Sequence, residues 1–329
     1  MKIAIVGAGA IGGYVGAKLA LAGEEVTFIV RGPNLEAIRR NGFKLITHDG
    51  TEHVARNVNA TDDYAGAGPQ TMIILATKAH QLGAVASNLP KLFGHDTVVV
   101  TMQNGIPYWY FQKHGGQFEG RLLESVDPAG MISASIPAER VIGCVVYPAS
   151  TLVAPGVVKH LGGDRFPIGE LDGSASERAA RVSACFTNAG FKAPILDDIR
   201  AEIWLKLWGN VTFNPISALT RATLSDICHY GGTRELAAAM MQEAQDVAQK
   251  LGISFRVSIE RRIAGAERVG RHKTSMLQDI EAGRALEVEA LVGSVVELGR
   301  LTQTPTPHIA AVYALTKLLA QSVTEMPHG

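Results

Sequence analysis

Cysteine is scarce: Cys144, Cys185 and Cys228 are the three thiols of 329 residues, odd in number and widely spaced. They fit neither a disulfide framework nor a zinc site, and they point to a reducing cytoplasm. An excess of either charge is missing too. With 31 basic and 31 acidic residues, no long-range field favours nucleic acid or an anionic membrane surface. No segment approaches the roughly 20 apolar residues of a membrane span. The opening MKIAIVGAGAIGG begins like a secretion signal, yet Gly7, Gly9, Gly12 and Gly13 interrupt the apolar run before a continuous helix could form. Internal repeats and low-complexity tracts are lacking as well. At this length two domains of roughly 130 to 200 residues each are expected.

What is present is an alternation. KIAIVG, EEVTFIVR, TMIILATK and TVVVTMQN read as buried strands, separated by helical stretches to about Ala22, near 34–40 and near 80–92. Such alternation implies βαβ units and a parallel sheet covered on both faces, a Rossmann-type arrangement. ERVIGCVVYPAS, GVVKHLGG and DRFPIGEL follow at hairpin spacing and suggest an antiparallel extension. From about Ile199 the period changes to 3.6, as in AEIWLKLWGNV, RELAAAMMQEAQDVAQKLG and a long run from Ser275 to about Leu301. The expected division is a nucleotide-binding domain over 1–197 and a mostly helical domain over 198–329. NGIPYWYFQKHGGQFEG, 104–120, reads as a long loop, a packed surface insertion.

GAGAIG, comprising Gly7, Ala8, Gly9, Ala10, Ile11 and Gly12, follows a strand and opens a helix, the context in which G-x-G-x-x-G has meaning. Gly7 allows the tight turn, Gly9 lets backbone approach a pyrophosphate, and Gly12 permits close helix–strand packing. The helix N-terminus supplies N–H groups for the phosphates. The second strand ends at Arg31, where an NAD protein would carry a carboxylate for the ribose 2′-hydroxyl. A guanidinium suits a 2′-phosphate, so the cofactor expected is NADP. ATKAHQ and VTMQNG end the next strands and place Lys78, Gln81 and Asn104 toward the cofactor.

In the helical half Lys206, Asn210 and Asn214 recur at i, i+4 and i+8, a polar stripe on a helix otherwise walled by Trp204, Leu207, Trp208 and Val211. Buried amides and ammonium groups need partners, so the stripe is either a structural polar seam or the lining of a ligand cleft. Periodicity leaves both readings open. Pro215 is expected to end or kink this helix. Ser275 and Gln278 have capping-box spacing, which would start a helix with the serine hydroxyl near a ligand. Further on, Glu287 shares a face with Ala290, Leu291 and Ser294, while Glu289 points about 200° away. One of the two glutamates should be buried and the other solvated.

Together GAGAIG, Arg31, Thr77-Lys78, QNG at 103–105, AEIWLKLWGNVTFNP and TSMLQDIEAGRALEVEAL resemble the ketopantoate reductase (2-dehydropantoate 2-reductase) family, in order over residues 1 to about 293. The resemblance implies NADPH-dependent reduction of a 2-oxo acid, ketopantoate, to pantoate, a step of pantothenate and coenzyme A synthesis. It gives Lys206 and Glu287 catalytic roles, Asn210, Asn214 and Ser275 substrate contacts, and Arg31, Lys78 and Asn104 cofactor contacts. No metal is implied, and the helical half, rich in Ala, Met and Leu, could pair with a second copy.

The residue types suit that chemistry. Negative charge builds on the carbonyl oxygen during hydride transfer, and an ammonium can stabilise it and deliver the proton. Three positions depart from the family pattern: Leu224, His272 and Val292 stand where polar side chains are common in the family. They favour as an alternative a paralogue reducing another 2-oxo acid. A non-catalytic NADP-binding sensor is the remaining reading, against which the retention of Lys206 and Glu287 weighs.

Overall fold

β-branched runs and glycine-paced helices alternate in the computed structural model much as in the sequence, over the described residues 1–325. The order is β1 (Lys2–Val6), α1 (Ala10–Leu21), β2 (Glu25–Ile29), α2 (Pro33–Asn41), β3 (Phe43–Ile46), β4 (Glu52–Ala55), β5 (Val58–Thr61), α3 (Tyr64–Ala67), β6 (Gln70–Leu75), α4 (Ala79–Ala86) and β7 (Phe93–Thr101). Then come α5 (Met131–Ser135), β8 (Val141–Cys144), β9 (Ala149–Ala154), β10 (Val157–Gly162), β11 (Ile168–Gly169) and α6 (Glu177–Asn188). The rest is helical: α7 (Ile199–Thr220), α8 (Leu224–His229), α9 (Gly231–Lys250), α10 (Ile259–Arg268), α11 (Ser275–Glu281), a π-helical turn (Glu289–Gly293), α12 (Ser294–Leu301) and α13 (Pro307–Glu325).

The chain divides into two compact units. The first holds Met1–Gln103, Trp109–Leu122 and Ala129–Ile199; the second holds Asn104–Tyr108, Leu123–Pro128 and the residues from Arg200 onward. Two short pieces of the long loop after β7 therefore pack with the helices rather than with the sheet that precedes them.

In the first unit seven strands form one sheet in the order β11-β8-β7-β6-β1-β2-β5. All pairs are parallel except β11 on β8. The chain runs outward from β1 to β2, then returns to β6 on the other side of β1, which makes the carboxyl ends of β1 and β6 the topological switch point. Ile3, Ile5, Met72, Ile74, Val98 and Val100 fill the core beneath it.

The β9–β10 hairpin joins a second sheet, β4-β3-β10-β9, instead of extending the first. Phe43 of β3 is fully buried, and an ideal Cβ on Gly13 of α1 would lie 2.4 Å from its ring. On the same helix a Cβ on Gly16 would meet the Phe28 ring of β2 at 2.5 Å. Glycine thus lets α1 lie close to rings of both sheets.

In the second unit Trp204, Leu207, Trp208 and Val211 of α7 are at most 1% exposed, and Trp208 Nε1 donates to the Met241 carbonyl of α9 at 2.8 Å. Pro215 neither ends α7 nor begins its end; the helix continues to Thr220. A mid-helix proline costs about 3 kcal/mol, and burial of Phe213, Ile216 and Ala218 around it offsets that loss. The expected long helix after Ser275 is interrupted between Glu281 and the π turn, where Gly283 takes φ +61°.

Candidate active site

At the switch point Gly7 has φ +99°, a conformation that favours glycine, and a Cβ there would meet the Thr77 backbone nitrogen at 3.0 Å. A Cβ on Gly12 would lie 1.9 Å from the Gly7 carbonyl oxygen, so helix and turn touch backbone to backbone. Gly9, immediately before α1, is different: nothing lies within 4 Å of its ideal Cβ. That open space beside the first-turn N–H groups is what a pyrophosphate requires.

The remaining members of the fingerprint, Ala8, Ala10 and Ile11, carry the turn, and other elements brace it. Asn34 Nδ2 donates to the Ala8 carbonyl at 3.5 Å while its Oδ1 accepts from Gly156 N at 2.9 Å. Ser150 Oγ of β9 donates to the Ala10 carbonyl at 2.8 Å. Both bracing residues escape a motif search because their partners are backbone groups distant in sequence.

Arg31 is exposed after β2, and its charge partly offsets the upward push that burial gives the Tyr64 phenol. Lys78 caps the N-terminus of α4, where Gln81 Oε1 accepts from Lys78 N at 3.2 Å. Gln81 is thus engaged as a helix cap. An open glycine cradle, a helix N-terminus and a guanidinium at the ribose position are a donor set that fits NADP.

In the second unit the structure brings three predicted residues into contact. Lys206 Nζ donates to Asn104 Oδ1 at 2.6 Å, and Asn104 Nδ2 donates to Glu287 Oε2 at 3.4 Å. The partners fix the amide's orientation, because a flipped Asn104 would set NH₂ against an ammonium and oxygen against a carboxylate. Asn104, which the sequence alone assigns to the cofactor, therefore stands between the two catalytic candidates. Glu287 is 9% exposed, whereas the side chain of Glu289 is 41% exposed, paired with Lys317 at 3.0 Å and bonded by Tyr313. The expected contrast between the two glutamates is present.

Asn214 is buried and its Nδ2 lies 3.5 Å from Ser275 Oγ. Asn210, one turn from Lys206, is half-buried. Ser275 is not the cap of α11: Thr274 Oγ1 accepts from Leu277 N at 3.3 Å, one residue earlier than expected. Relieved of capping, the Ser275 hydroxyl is available on the side that Asn214 faces. The loop bearing Asn104 is held by burial of Ile106 and Tyr108, and burial beside Asp127 pushes the Tyr108 phenol far up.

Relatedness bears on the family to which such a chain belongs. The family model described as Ketopantoate reductase PanE/ApbA matches residues 3–173, and Ketopantoate reductase PanE/ApbA C terminal matches residues 198–320. The chain belongs to the ketopantoate reductase family. It is 52% identical to the 2-dehydropantoate 2-reductase of Mesorhizobium japonicum over 97% of this chain and 98% of that one. With the 2-dehydropantoate 2-reductase of Pyrococcus horikoshii it shares 31% identity over 96% and 97% of the two chains. Among solved structures, that of a proposed ketopantoate reductase from Ralstonia solanacearum MolK2 superposes with a TM-score of 0.93 at 42% identity, covering 98% of each chain.

Within this ketopantoate reductase fold the departures at Leu224 and His272 are neighbours, since Leu224 N donates to the His272 carbonyl at 3.0 Å. The two positions thus share one corner of the helical unit.

Proposed function

We propose that this chain reduces 2-dehydropantoate to pantoate, NADPH supplying a hydride to the C2 carbonyl carbon when bound. The observation that carries the reading is the Lys206–Asn104–Glu287 bridge. The Lys206 ammonium, oriented by the Asn104 amide oxygen, donates to the carbonyl oxygen, where it stabilises developing charge and delivers the proton. Glu287 holds the far side of Asn104 and accepts from a substrate hydroxyl. Asn210, Asn214 and Ser275 bind the carboxylate and hydroxyl without adding net charge. Arg31 pairs with the 2′-phosphate, Lys78 and Gln81 line the cofactor, and Gly7 to Gly12 cradle the pyrophosphate. The division of labour is a nucleotide domain over 1–197 and a substrate domain over 198–329, with Asn104 serving the latter. The reading includes the cytoplasm as the place of action, which the buried Cys144, Cys185 and Cys228, none of them in a disulfide, suit. It also includes pairing of two copies through the helical half, where Leu315 and Leu318 of α13 are exposed.

The test is NADPH oxidation with ketopantoate and a panel of other 2-oxo acids. Ketopantoate should give the highest kcat/KM, NADH should replace NADPH poorly, and Lys206→Ala should lower kcat by about 10²–10⁴-fold while leaving NADPH binding nearly intact. Unchanged turnover in Lys206→Ala would reject the mechanism. The Leu224–His272 corner favours one other outcome, preference for a different, more apolar 2-oxo acid.

A further inference from the structure

We propose that the π-helical turn at Glu289–Gly293 is the positioning device of the active site: it turns the Ala290 carbonyl toward the Asn104 loop, with Gly105 and Ser294 as positioning residues. In an α-helical ladder the Ala290 carbonyl would accept from Ser294 N. Here Ser294 N reaches back to the Glu289 carbonyl instead, five residues away, so that ladder bond is not made. The Ala290 oxygen accepts from Ile106 N at 3.0 Å and from the fully buried Ser294 Oγ at 2.8 Å. One carbonyl thus holds both the loop and its own helix.

The approach leaves no room for a side chain at 105. Gly105 has φ +85°, and an ideal Cβ on it would lie 2.1 Å from the Ala290 oxygen and 2.5 Å from its carbonyl carbon. Any side chain at 105 would force the loop away from the turn. The residue before it is Asn104, and Glu287 is three residues before Ala290. The loop and the turn are therefore joined twice, by backbone at Ile106–Ala290 and by side chain at Asn104–Glu287. The first bond sets the position of the second, and through it the aim of Lys206. A displacement of about 1 Å in such a group costs roughly 10²-fold in rate.

This inference rests on the reductase reading, and three variants separate the two. Ser294→Ala loosens the Ala290 carbonyl, Ser294→Thr keeps the hydroxyl, and Gly105→Ala drives the loop off the turn. Steady-state kinetics should show kcat down about tenfold in Ser294→Ala and about 100-fold or more in Gly105→Ala, with KM for NADPH within about twofold. Ser294→Thr should restore most of kcat. A second readout needs no turnover: the rate at which acetic anhydride acylates Lys206 at fixed pH, followed by mass spectrometry. Loss of the Asn104 contact uncovers Lys206 Nζ, so acylation should rise severalfold in both alanine variants and not in Ser294→Thr. Should Gly105→Ala fail to fold, the Ser294 pair decides. Wild-type labelling rates in the alanine variants, or kcat and KM for NADPH falling together, overturn the proposal. If the wild-type enzyme turns over no 2-oxo acid, the reductase reading falls and the labelling comparison still decides the positioning role.

Discussion

One methyl group separates the two tasks glycine performs in the turn between β1 and α1. At Gly12 it would strike the Gly7 carbonyl at 1.9 Å, and backbone cannot move aside as a flexible side chain could. At Gly9 it would enter open space. Gly12→Ala should therefore lower stability by about 3 kcal/mol or more in denaturant melts. Gly9→Ala should melt like the wild type yet raise KM for NADPH about tenfold, because the methyl occupies the pyrophosphate's path. Normal NADPH binding by Gly9→Ala would show that the open side does not face the cofactor. Both roles were legible in the spacing of GAGAIG, since turn, cradle and packing are local demands. Asn104 was legible as a site residue but not as Lys206's acceptor, because 102 positions separate the two and strand-end logic points toward the cofactor. The stripe of Lys206, Asn210 and Asn214 left seam and cleft open; partners outside the helix, Asn104 and Ser275, satisfy both readings, and the kinetics of Lys206→Ala decide between them.

Elements were legible where their period was unbroken. β1, β2, β6 and the buried end of β7 are apolar runs, α9 shows its helical period, and α1, buried from Gly12 to Ala17, was legible from the glycine fingerprint that opens it. β3 and β4 were missed although Phe43 and Leu45 alternate inward and Gly50, φ +87°, turns their hairpin; four-residue strands carry too little pattern. Ser275 to Leu301 read as one helix because an isolated glycine inside an apolar run is a weak stop signal, yet Gly283 takes φ +61° and the helix breaks there. Contacts between elements were likewise invisible. Glu243, 8% exposed on α9, caps α13 from outside: Oε1 accepts from His308 N at 2.9 Å and contacts His308 Nδ1 at 2.6 Å, while Oε2 accepts from Ile309 N at 2.9 Å. Glu243→Ala should cost about 3 kcal/mol in urea unfolding by stranding two helix N-terminal donors. Glu243→Gln, which keeps one acceptor oxygen, should cost clearly less. Equal losses in the two variants would mean that packing, not capping, is what Glu243 supplies.

At the scale of the molecule, composition told the class of protein and the two-part plan, but a balance of 31 charges of each sign says nothing of how stability varies with pH. Two groups in the first unit show how the alkaline side of that dependence arises. Tyr14 of α1 is 2% exposed and stacks on His160 at 4.3 Å; burial, then the Asp164 carboxylate, raises its pKa from 10.0 to about 12. Cys185 of α6 is 4% exposed; burial, then the Glu24 carboxylate, raises its thiol from 9.0 to about 12. Both are neutral at pH 7. A raised folded-state pKa means that the unfolded chain releases its proton first as the solution turns alkaline. The stability each group contributes is therefore fully present below its ordinary value and is lost as pH rises toward about 12. Lys18, whose pKa is lowered chiefly by burial, works in the opposite sense and trims the fall. The melting temperature should thus hold from neutrality to about pH 9 and decline above it, the thiol contributing first and the phenol from about pH 10. Tyr14→Phe keeps the ring on His160 and removes the phenol proton, so its melting curve should match the wild type at pH 8 and decline less steeply above pH 10. Parallel declines of the two proteins through that window would exclude Tyr14 as a source of the alkaline limb.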